Sequence, residues 1–172
     1  NLFFTPTDIL LPAHADMRRW SVIACDQFTA DAGYWQAVQD TVGDAPSTLR
    51  LMLPEFYLGK CDEAAATREI QQTMRRYLDD GVFRTVPHSL VLVQRTLPGG
   101  AVRCGVVGAL DLEAYDYAPD SVTPIRATEG TVASRLPARV RIRAAAALEM
   151  PHIMVFYSDP EDTIRREAQA AA

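Results

Sequence analysis

The 172 residues hold only three cysteines and three histidines, and no glycine-rich phosphate motif of the GxGxxG, GxxxxGK or GxSxG kind. Each scarcity removes a class of function. Cys25, Cys61 and Cys104 are odd in number and far apart, with no CxxC pair. His14, His88 and His152 show no HxxxH spacing. A disulfide framework and a zinc site are therefore unsupported, and no structural or catalytic metal site of that kind is expected. Without the glycine motifs, ordinary P-loop, Rossmann and α/β-hydrolase readings fall away. The longest apolar runs, such as LVLV and GVVGAL, stay far below the roughly 18 residues that a membrane helix needs. No charged-then-apolar leader opens the chain, so a soluble, cytoplasmic protein that makes no membrane contact is expected.

What is present suits one core. The chain is 48% apolar with a formal charge of −5, and about 100 to 200 residues is the usual size of a domain with a single core. A single domain spanning residues 1–172 is expected. The acidic balance argues against nucleic acid as a partner, because sequence-independent binding needs a broad basic surface.

The order of signals along the chain is mixed. WSVIACDQF (20–28) and HIMVFYSD (152–159) are short apolar runs that read as buried strands. Asp31 caps a helix that ends at Gly43, and Asp62 caps a second, strongly periodic helix that ends at Gly81. In GDAPSTLRLMLPE, Ser47 or Thr48 caps a brief helical or extended piece that Pro54 interrupts. HSLVLVQRTL and AVRCGVVGALDL, joined through Pro98, Gly99 and Gly100, read as a hairpin, in which Gly105 and Gly108 mark a bulge or a close backbone approach. Pro137 opens a helix expected to reach Leu148, docking Val140, Ala144, Ala147 and Leu148 on a sheet. Asp159 and Pro160 begin a last helix. These signals predict an α/β or α+β fold, a mixed β-sheet layered with helices.

Against the acidic background, IRATEGTVASRLPARVRIR (125–143) packs five arginines and one carboxylate into nineteen residues. Arginine offers a planar fork of donors to anionic oxygens. Thr128 and Thr131 add hydroxyls, and Gly130 lets backbone amides come close to a ligand. Arg126, Thr128, Glu129, Gly130, Thr131, Arg135, Arg139 and Arg143 are thus candidates for gripping a phosphate. Ser47, Thr48 and Arg50 are a second possible anion contact. Catalysis has two candidates, Asp26 and Glu129: Asp26 reads either as a Mg²⁺ ligand or base, or as the cap of the turn that follows it. The opposing reading of the arginines is a solvated helix face paired with the acidic loop DLEAYDYAPD (111–120) before them, where each pair contributes only about 0 to 1 kcal/mol.

The phrases VIACDQFTA, PSTLRLMLPEFYL, IRATEGTVASRLPARVRIR and LEMPHIMVFYSDP together resemble the bacterial family known as domain of unknown function 1015, in order and spacing from about Trp20 to Pro160. Where that family's pattern runs RxPPR this chain has Ala138, leaving Arg135 and Arg139 in place. The resemblance implies longer members with a downstream stretch rich in Asp, Gly and His, similar to one in ParB-like nucleotide-binding proteins and a related free-serine kinase. It thereby implies phosphate or nucleotide chemistry, with Mg²⁺ and a nucleotide as cofactors if the whole is a phosphotransferase. It also implies that this chain is an amino-terminal portion, whose partners are a small phosphorylated ligand and the downstream part of the same protein. The alternative is a non-catalytic interaction or structural module whose basic helix docks an acidic partner or the rest of its own chain.

Overall fold

The computed structural model describes residues 3–127, 130, 132–150 and 152–171. In chain order these form β1 (Phe4–Thr5), β2 (Thr7–Pro12), α1 (Met17–Trp20), α2 (Ala32–Val42), α3 (Glu63–Asp79), β3 (Phe83–Ser89), β4 (Val91–Thr96), β5 (Val102–Val107), β6 (Ala109–Leu110), β7 (Tyr115–Asp116), β8 (Ile125–Arg126), α4 (Leu136–Arg143) and α5 (Thr163–Ala170). Helices and strands mix as expected. The strands pair as four two-stranded ladders, β1 with β6, β2 with β3, β4 with β5 and β7 with β8. The chain gathers into two compact units, one of residues 1–11, 85–130 and 154–172, the other of residues 12–84 and 131–153.

In the second unit the capping residues act as the sequence predicts. The Asp31 carboxylate accepts the Tyr34 N–H at 2.9 Å, and Asp62 accepts that of Ala65 at 2.9 Å. Each satisfies an N–H that the first helical turn leaves without an intrahelical partner. Gly43 and Gly81 leave the helix ends at φ of +54° and +68°, where a side chain would strain the backbone. Helix α3 buries Thr67, Ile70, Thr73, Met74 and Tyr77 along one face. That face meets Trp20, Leu51 and Ile142 in the main core cluster. Every fully buried side chain among the described residues belongs to this unit.

Two expectations about this unit need correcting. Residues 20–28 are not a strand. Trp20 ends α1, and the residues after it run without a strand partner. Side-chain hydroxyls take the place of a neighbouring strand: the Ser47 and Thr48 hydroxyls donate to the Trp20 carbonyl at 3.3 and 2.8 Å, and Thr48 Oγ1 accepts the Val22 N–H at 3.2 Å. Helix α4 starts at Leu136, with Pro137 in its first turn, and ends at Arg143, short of Leu148. It packs on α3, where Ile142 joins the core cluster; Ala138 is also buried, while Val140 stays 60% exposed. The Gln71 amide donates to the Arg141 and Ile142 carbonyls at 2.9 and 3.0 Å, and Arg75 donates to that of Ala145 at 3.1 Å. Side chains of α3 thus satisfy carbonyls at and just beyond the end of α4.

In the first unit, β4 and β5 form the expected antiparallel hairpin, from Val91 opposite Val107 to Thr96 opposite Val102. Gly99 and Gly100 take φ of +95° and +88° at its turn. Helix α5 packs on β5, and its first turn is held by Asp159, whose carboxylate accepts the N–H groups of Thr163 and Ile164 at 2.9 and 2.8 Å. The expected strand at 152–159 does not form. These residues pair with no strand, and Met154 and Phe156 are 71% and 78% exposed. Apolar character alone cannot supply the second backbone that a ladder requires.

Gly105 has open space where a Cβ would stand, whereas Gly108 marks a close approach. A Cβ there would lie 2.7 Å from Leu90 and Phe4 side-chain atoms and 2.8 Å from the Thr5 carbonyl oxygen. The backbone oxygen cannot give way as a flexible side chain does. Gly108→Ala is expected to destabilise the first unit by about 1–3 kcal/mol, seen as faster amide exchange in β1 and β6. Unchanged exchange would refute the approach.

Candidate functional site

Within the second unit, two arginines of the basic block converge on one carboxylate. Arg135 stands at the entry of α4, and Arg139 lies one turn further on. Glu55, at the start of a short 3₁₀ turn that follows Pro54, receives both. Arg139 Nη2 donates to Glu55 Oε1 at 2.8 Å, and Arg135 Nε lies 3.4 Å from Oε2. The Glu55 side chain is only 8% exposed, whereas those of Arg135 and Arg139 are 49% and 48% exposed. The carboxylate therefore sits inside and the guanidiniums sit at the rim.

The Glu55 backbone N–H donates to the Cys25 carbonyl at 2.8 Å, fastening the ACDQF turn to the same place. Burial raises the Cys25 thiol pKa above its ordinary value. Arg139 opposes this, Asp26 and Glu55 add to it, and a backbone N–H bond lowers it. Asp26 is exposed and accepts from the Gln27 amide at 3.2 Å.

The fold favours the neutral thiol. Its contribution to stability is thus present below the ordinary thiol pKa and is lost as pH rises through the raised one. Because the thiolate is the nucleophile, Cys25 is expected to react with iodoacetamide more slowly than the exposed Cys61 at pH 7.5. Its rate should rise at pH values above the usual thiol range. Equal rates at pH 7.5, measured by peptide mapping, would contradict this.

The other sequence candidates divide. Arg141 pairs with Glu63, and Arg143 with Glu149 at 2.6 Å. Among the described residues, the carboxylates seen to pair with these arginines include Glu55, Glu63 and Glu149, and none of these three lies in the acidic loop 111–120 expected to meet them. Arg126 and Gly130 belong to the first unit. Thr128, Glu129 and Thr131 lie outside the described residues. Ser47 is fully buried: its N–H donates to the Tyr77 hydroxyl at 3.0 Å, and its Oγ accepts the Leu49 N–H at 3.2 Å. With Thr48 it ties the 3₁₀ turn Thr48–Leu51 to Trp20. Arg50 donates to the carbonyls of Gly43 and Ala45. It lines a cleft of about 650 Å³ together with Leu49, Glu69, Thr73 and Arg76, and Arg135 and Arg139 are not among its walls.

Glu55 was the residue that sequence reading missed. Its signal is a lone carboxylate directly after Pro54 in the apolar phrase LMLPEFYL, with nothing local to say which cation it meets. Among the described residues no group of three or more His, Cys, Asp and Glu side chains is placed to hold a metal ion. No described helix is long and apolar enough to cross a membrane.

Residues 6–172 match the family model described as Protein of unknown function (DUF1015), and the chain belongs to that family. No curated protein and no solved structure matches the chain.

Proposed function

We propose that the second unit binds the phosphate of a small phosphorylated ligand or nucleotide through Arg135 and Arg139, with Asp26 and Cys25 at the edge of the site. The observation that carries this reading is the convergence of two half-exposed guanidiniums on one point. Each offers five N–H donors, and the contacts to Glu55 engage one nitrogen of each. Two forks aimed at a common point suit the tetrahedral array of acceptors on a phosphate. In a phosphoryl transfer such a pair would hold the anion and offset charge as it develops. Asp26, carrying an exposed carboxylate, is the candidate ligand for the Mg²⁺ that accompanies a nucleotide, and a phosphotransferase is the activity that the reading suggests for the whole protein. The acidic net charge sets nucleic acid aside, and the unpaired thiols of Cys25, Cys61 and Cys104 suit a reducing bacterial cytoplasm.

A thermal-shift and calorimetry screen of nucleotides and phosphorylated metabolites tests the proposal. Binding that Arg135→Ala weakens supports it, and a screen in which nothing phosphorylated binds removes it.

One observation favours a second reading, a non-catalytic module whose arginines serve its own fold. Arg135, Arg139, Arg141 and Arg143 each meet a carboxylate of the same chain. On that reading Arg135→Ala lowers stability and alters no ligand affinity.

A further inference from the structure

We propose that Glu55 is the resident counter-anion of the Arg135–Arg139 pair, which a ligand must displace, and that this competition selects polyanionic phosphates such as pyrophosphate and nucleoside di- and triphosphates. The inference rests on the reading of that pair as an anion site and adds which anions it admits.

Three observations lead to it. Glu55 bridges both guanidiniums, one through each carboxylate oxygen, so it occupies the position that a bridging phosphate oxygen would take. Its side chain is nearly buried, and a buried carboxylate stripped of its cations is costly. An entering anion therefore has to attract the arginines more strongly than a single carboxylate does. Finally, Glu55 offsets one of the two positive charges that Arg135 and Arg139 bring together. With Glu55 in place the site thus has less net pull on a monoanion, while a ligand carrying three or four negative charges gains most from taking the arginines over.

The local structure allows the exchange. Glu55 belongs to a three-residue 3₁₀ turn with no side-chain cap. Its backbone bond to Cys25 anchors the main chain, so the side chain can leave while the turn stays. Arg135 and Arg139, at the rim, can follow a ligand outward.

Calorimetric titration of the full chain with pyrophosphate, inorganic phosphate and acetate tests this, using wild type, Glu55→Gln and the charge-retaining Glu55→Asp. Wild type is expected to bind pyrophosphate at least tenfold more tightly than inorganic phosphate and to show no heat with acetate. Glu55→Gln should bind inorganic phosphate about tenfold more tightly than wild type, narrowing that preference, and Glu55→Asp should keep it. If wild type binds pyrophosphate and Glu55→Gln binds phosphate no more tightly, Glu55 does not compete, and the proposal falls while the anion site stands. If neither protein binds any phosphate, the anion-site reading itself fails and the proposal with it. A measurement on wild type alone covers a Glu55→Gln variant that does not fold. With ¹³C-labelled glutamate, saturating pyrophosphate should move the Glu55 carboxyl resonance, and a resonance that stays put while pyrophosphate binds overturns the displacement.

Discussion

Arg139→Ala is expected to lower pyrophosphate affinity by tenfold or more and to cost about 1–3 kcal/mol of stability, the usual penalty for orphaning a buried hydrogen-bonding group. Both effects have one origin. The 2.8 Å bond to Glu55 is the shorter of the two contacts made to that carboxylate, and the 3.4 Å approach of Arg135 is what would remain. Glu55 is therefore left nearly buried and poorly paired, while the anion site loses one of its two forks. Arg139→Lys should restore part of the stability but little of the affinity, because an ammonium supplies charge without a planar pair of donors. Loss of Arg139 also removes the positive charge that holds down the Cys25 thiol, so alkylation of Cys25 should slow further. Calorimetry and urea unfolding separate the outcomes. Unchanged pyrophosphate affinity with lowered stability would favour the structural reading of the arginines over the ligand reading.

Met74→Ala is expected to cost about 2–5 kcal/mol, the range for truncating a large buried side chain into a cavity. Met74 is completely buried on the inner face of α3, in the cluster with Trp20, Leu51, Ile70, Tyr77 and Ile142. Both tryptophans of the chain, Trp20 and Trp35, lie in the same unit, so their fluorescence reports its unfolding directly. The urea midpoint should fall with little change in slope. Met74→Leu, which conserves volume, should cost under about 1.5 kcal/mol. A loss below 1 kcal/mol for Met74→Ala would mean that this cluster is not the unit's principal core. Because the same core holds α4 through Ile142, a strongly destabilised variant should also bind phosphate less well near its midpoint.

Membership of the family was legible in phrases spread along most of the chain, and those phrases contain the residues that meet in the structure. VIACDQFTA supplies Cys25 and Asp26, PSTLRLMLPEFYL supplies Ser47, Thr48 and Glu55, and IRATEGTVASRLPARVRIR supplies the arginines. The sequence suggested that Ser47 and Thr48 either cap a turn or touch an anion. In the fold, Ser47 caps the 3₁₀ turn, and both hydroxyls bind the main chain at Trp20. Arg50 likewise donates to carbonyls of the loop just before it.

By itself the sequence determined what depends on neighbours within about a turn. Asp31 and Asp62 cap their helices, Gly43 and Gly81 stop them, Pro137 sits in the first turn of α4, and Pro98–Gly100 turns the hairpin, because each acts on backbone groups a few residues away. Only the tertiary structure decided what depends on distant chain. The runs at 20–28 and 152–159 carry the composition of strands, but a strand needs a second backbone, and local composition cannot summon one. Helix α4 stops at Arg143, where α3 side chains satisfy its last carbonyls. The defining contact of the candidate site joins Arg139 to Glu55 across 84 positions. Such a pair leaves no trace in periodicity or spacing, since it joins α4 to a loop far earlier in the chain.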